Sequence, residues 1–81
     1  MKLQVLSNIL DGYGFNVELE TTILKAHKLG VVVFVRITDS GLASISITAA
    51  SSGAVFSVAP EVETIKMAYL ILQTIEVLQY V

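Results

Sequence analysis

The side chains here best suited to chemistry are a lone histidine, two carboxylate pairs, and an arginine whose strand neighbours carry hydroxyls. His27, set between Lys25 and Lys28, is the only imidazole of the chain. A hydrolytic triad places a nucleophile, a base and an orienting acid in mutual contact. A single histidine beside two lysines at a hairpin tip reads as a solvated surface group instead. Glu18 and Glu20 fall on the polar face of a strand, and Glu61 and Glu63 open a helix. Acid–base catalysis asks for paired carboxylates in a cleft, whereas these pairs have ordinary structural roles. Gly12-Tyr13-Gly14 leads into a strand, so it lacks the helix N-terminus that a phosphate-binding glycine loop aims at its ligand.

Cysteine is absent from the 81 residues. That excludes disulfides, thiolate metal ligands and cysteine nucleophiles, and a single histidine excludes a multi-histidine site within one chain. The expectation is a non-enzymatic protein without metal or cofactor. The one constellation suited to binding is Arg36 with Ser44, Ser46 and Thr48, joined by Thr38 and Ser57. Alternation along two strands places them on one face, where the guanidinium can meet an acidic group on a ligand or partner. An open sheet edge offers a second mode, because extended peptides pair with exposed edge strands.

The elements that position these residues follow from periodicity. Leu3, Leu6, Ile9 and Leu10 mark one face of a short helix, which Asp11-Gly12 stops with glycine at the left-handed C′ position. Phe15, Val17 and Leu19 then alternate with polar residues, and the alternation runs less cleanly through Thr22–His27. This predicts one long bent strand or two collinear ones. Lys28-Leu29-Gly30 makes a hairpin connection. Val31–Thr38 is the strongest strand, apolar on both faces over its first five residues, which predicts cover on both sides. Asp39-Ser40-Gly41 turns, Leu42–Ala49 pairs back, Ser51-Ser52-Gly53 turns again, and Ala54–Ala59 completes the sheet. Pro60 suits the first position of a long helix running to about Tyr80. The predicted architecture is α+β in two layers: a short N-terminal helix, a four-stranded antiparallel meander, and a long C-terminal helix packed on the sheet. Residues 1–81 form a single domain.

Composition sets the assembly. Hydrophobic residues make up 54% and charged residues 15% of the chain, against about 45–50% and about 25% in typical soluble domains. So short a chain buries only roughly 60% of the surface its unfolded form exposes. The C-terminal helix concentrates the surplus. Val62, Ile65, Ala68, Leu72 and Ile75 form one apolar line, with Met67, Leu70, Ile71, Val77, Leu78 and Val81 beside it. A helix covering one sheet needs a stripe only about 100° wide. The excess predicts a homodimer joined through this helix, with a protein partner as its further target.

The apolar run Met67–Leu72 is far short of the about 20 residues a membrane span needs. The N-terminus has no signal-peptide apolar region, so a cytoplasmic setting is expected. Net charge is −2 with scattered basic residues, whereas nucleic-acid binding rests on clustered lysine and arginine. Nucleic acid is not an expected partner.

Overall fold

A computed structural model describes residues 2–79. Its elements run α1 (Leu3–Gly12), β1 (Asn16–Leu19), β2 (Ile23–Lys28), β3 (Val31–Ile37), β4 (Ala43–Ala49), β5 (Ser52–Val58) and α2 (Thr64–Gln79). The strands form one antiparallel meander in the order β1-β2-β3-β4-β5. The architecture is two-layer α+β, and the sheet has five strands instead of four. Tyr80 and Val81, the expected end of the last helix, lie outside the described residues.

The extra strand comes from a hairpin in place of the one long bent strand, or two collinear ones, that the alternation predicts. Glu20 N–H donates to the Ile23 carbonyl at 2.8 Å, so Thr21-Thr22 turns the chain back. Val17 then pairs with Ala26, and Leu19 with Leu24. Three further boundaries differ from expectation. α1 continues through Gly12, and Gly14 takes the positive φ of +89°. The β4–β5 turn is Ala50-Ser51, with Ser52 already paired to Ala49. Pro60 lies in a turn closed by a 3.1 Å bond from Val62 N–H to the Ala59 carbonyl. α2 therefore begins at Thr64 instead of Pro60, and Glu61 and Glu63 precede it. Proline at the second position of a β-turn uses the same fixed φ that suits a first helical turn.

Strand parity fixes the core. Val31, Val33 and Val35 of β3 meet Ala49, Ile47 and Ile45 of β4 in register, and all six are buried. Leu24 and Ala26 extend this face across β2, and Val58 bounds it on β5. Above it lie Leu3, Leu6 and Leu10 of α1 with Met67, Ala68, Ile71 and Ile75 of α2. α1 packs over β1 and β2, α2 over β4 and β5, and the helices touch each other. Neither helix is stable alone at this length, so burial of these stripes holds them. Lys2 N–H donates to Thr64 Oγ1 at 3.1 Å, tying the two helix starts together. Ser52 Oγ lies 3.3 Å from the Leu78 carbonyl, fixing the far end of α2 to the β4–β5 turn.

Both helices occupy one face, so the expected cover on both sides of β3 is corrected. Val32 remains 47% exposed and Phe34 half-buried on the uncovered side. The run of valines reflects the strand preference of β-branched side chains, which serves a half-covered pleat equally well.

Candidate functional site

The uncovered sheet face carries the Arg36 constellation. Since successive side chains alternate across a strand, β3 presents Val32, Phe34 and Arg36 outward, and β4 presents Ser44, Ser46 and Thr48. Register then aligns them in rows. Arg36 lies opposite Ser44, which lies opposite Ser57. Phe34, Ser46 and Val55 form the next row, and Val32, Thr48 and Gly53 the third. Adjacent strands are about 4.8 Å apart, so Arg36 and Ser57 are about 10 Å apart across this surface. The four sequence-predicted residues, with Ser57, thus share one face.

The geometry of that face is a column of hydroxyls between two more apolar columns. Lys25 borders it from β2, its Nζ 5.8 Å from the Phe34 ring centroid, a cation–π contact. Arg36 is exposed and borders a shallow concavity lined by Thr22, Thr38 and Asp39. Thr38 belongs to the turn, because its hydroxyl lies 3.0 Å from Ser40 Oγ and 3.2 Å from the Leu42 carbonyl. Its hydroxyl is thereby engaged within the turn.

The residues weighed for catalysis are not brought together. His27 is exposed, and its cross-strand neighbours are Asn16 and Val32, which supply neither nucleophile nor acid. Glu18 faces Lys25 across the β1–β2 pair, and Glu20 lies in the following turn. Among the described residues no polar or charged side chain is buried. Among the same residues no group of three or more His, Cys, Asp or Glu is placed to hold a metal. No helix among them is long and apolar enough to cross a membrane.

The helix residues divide into two sets. Ala68, Ile71 and Ile75 are buried in the chain's own core. Ile65 and Leu70 are exposed, and Leu72 and Leu78 are half-buried. Ile65, Tyr69 and Leu72 flank one side of α2, where with Val5 and Ile9 of α1 and its cap residue Tyr13 they line an apolar groove of about 340 Å³. On the opposite side Leu70 and Thr74 line a second concavity with Phe56, Val58 and Val62. The α1 contribution to the groove was not singled out from the sequence. Its signal was available in Val5, four residues before Ile9 at the margin of the Leu3–Leu6–Ile9–Leu10 face. Val55 was also missed. It is 77% exposed, and it is the one apolar residue of β5 whose parity opposes Ala54, Phe56 and Val58.

These features define the class of protein, a cysteine-free two-layer α+β domain with helices on one sheet face only. Compared with known proteins, the chain matches no family model, no curated protein and no solved structure.

Proposed function

We propose that the protein is a non-enzymatic homodimeric interaction module, assembled through the outer surface of α2, that docks a further protein partner. The observation carrying this reading is the set Ile65, Tyr69, Leu70 and Val77, exposed on a helix whose core stripe is already satisfied by its own sheet. Of the helix residues expected at the interface, Ile65 and Leu70 are exposed on opposite sides of α2 and offer themselves to a second copy, while Ala68, Ile71 and Ile75, with half-buried Leu72 and Leu78 packed against the core, hold α2 in place. Two-fold dimers are the commonest soluble assemblies, and they require one self-complementary patch. The scattered catalytic candidates and the absence of a buried polar group among the described residues favour a binding role over an enzymatic one. Light scattering at micromolar concentration tests the reading. A dimeric mass is expected, and a clean monomer overturns it.

A second reading rests on the alignment of Arg36, Ser44 and Ser57. On it, the Arg36, Ser44, Ser46 and Thr48 face binds a small acidic ligand. A ligand that binds only the native state raises its thermal midpoint. A panel of small carboxylates and phosphates should give a shift that Arg36→Ala abolishes. An unchanged shift in the variant overturns this site.

A further inference from the structure

Resting on the homodimer reading, we infer that the second copy pairs antiparallel along the outer edge of β5. The two-fold axis passes at Val55, and the two sheets become one continuous sheet. Among the described residues β5 ends the strand order, with β4 as its only strand neighbour. Ala49 and Ser52 flank a two-residue turn, which makes them a mutually hydrogen-bonded pair. Bonded and non-bonded pairs alternate along an antiparallel ladder. The pairs Ile47–Ala54, Ile45–Phe56 and Ala43–Val58 are therefore bonded as well. The intervening residues Gly53, Val55 and Ser57 turn their main-chain N–H and C=O groups away from β4, toward the open edge.

Native edges are blunted by short length, charge, proline or bulges. β5 has none of these. It runs seven residues, Ser52–Val58, without a charged residue or proline, and it pairs with β4 one for one without a bulge. The opposite edge, β1, has four residues and carries Glu18, so it is protected in both respects.

The sequence of β5 selects a second copy as the occupant. With the axis at Val55, that residue meets its own copy and Gly53 meets Ser57. These are the residues with outward-facing main-chain groups, so every such pair exchanges two hydrogen bonds. Parity is preserved as well. Ala54 meets Phe56 on the helix-bearing face, and the helices of both copies lie on the same side of the joined sheet. No like charges meet along the strand. Leu70, already beside β5 in the second concavity, shares its helix side with Val77 two turns on. Both are exposed, and the two-fold axis turns this flank toward its copy.

Charge reversal at the axis tests the proposal. Val55 is largely exposed, so Val55→Lys and Val55→Glu should each keep the wild-type circular dichroism. Each alone should halve the light-scattering mass at micromolar concentration, because like charges then face each other across the axis. A one-to-one mixture should recover the dimeric mass, since a lysine of one copy then meets a glutamate of the other. If either variant alone stays dimeric, or the mixture stays monomeric while the wild type is dimeric, the β5 edge is overturned and the homodimer reading survives. A monomeric wild type overturns that reading, and the edge pairing with it.

Discussion

Lys28 Nζ donates a 2.6 Å hydrogen bond to the main-chain carbonyl of Tyr13, linking the end of β2 to the residue that caps α1. The same ammonium stands 5.6 Å from the Phe15 ring centroid. Carbonyls at a helix C-terminus lack intrahelical partners and carry partial negative charge. A lysine there satisfies one of them and complements the dipole. Lys28 is thus a strap between layers, and Lys25 is engaged with Phe34. Of His27 and its neighbours Lys25 and Lys28, read from the sequence as a solvated hairpin tip, both lysines are in specific contacts.

Replacing Lys28 by methionine keeps the aliphatic stem and removes the donor. The Tyr13 carbonyl lies in an exposed contact and can turn to water, so the expected loss is about 1 kcal/mol, the net worth of one such bond. Urea denaturation should show a lower midpoint with an unchanged slope. A midpoint equal to that of the wild type would count against the strap.

Gly14 sits under this contact. Its φ is +89°, and an added Cβ would lie 3.3 Å from Lys28 Nζ. The lysine tip can shift, so the backbone conformation dominates the cost. Gly14→Ala should lose about 1–2 kcal/mol, the usual penalty of a left-handed L-residue. If adding Lys28→Met to Gly14→Ala restores stability, crowding and not φ is the cause.

Much of this fold was legible because turn chemistry and periodicity agreed. Gly41 has φ +85° in the turn predicted for it, and the alternation of β4 placed Ser44, Ser46 and Thr48 on one face. The misreadings fall where local signals are absent or ambiguous. Thr21-Thr22 reverses the chain without glycine, proline, asparagine or aspartate, so no local signal separated β1 from β2. Pro60 signals a turn and a helix start with equal force. The outward aim of Gly53, Val55 and Ser57 depends on the phase of the β4–β5 ladder, which the Ala50-Ser51 turn sets and no propensity encodes. The division of α2 into core and surface residues depends on where α1 lies, a tertiary fact absent from the helix's own pattern.

The β2–β3 turn holds a removable strain. Leu29 has φ +48° followed by Gly30 at +81°, both positive as in the hairpin turn that favours Asn-Gly. Leu29 is 92% exposed, so its side chain contributes no burial within the chain. Leu29→Asn should stabilise the protein by about 1 kcal/mol, because asparagine tolerates the left-handed region better than leucine. A thermal midpoint at or below that of the wild type would refute this.

Two substitutions on α2 separate folding from assembly. Ile71 is fully buried between helix and sheet, and Ile71→Ala should cost about 2–5 kcal/mol through lost burial and a residual cavity. Val77 is 62% exposed, so Val77→Lys should change the stability of the isolated chain by no more than about 0.5 kcal/mol. A dimer that melts to unfolded chains has a midpoint that rises with protein concentration. Ile71→Ala should lower the midpoint at every concentration and keep that dependence. Val77→Lys should flatten it, because in the proposed dimer the flank beside β5 then carries facing charges across the two-fold axis. If Val77→Lys keeps the full wild-type concentration dependence, that flank of α2 does not take part in assembly.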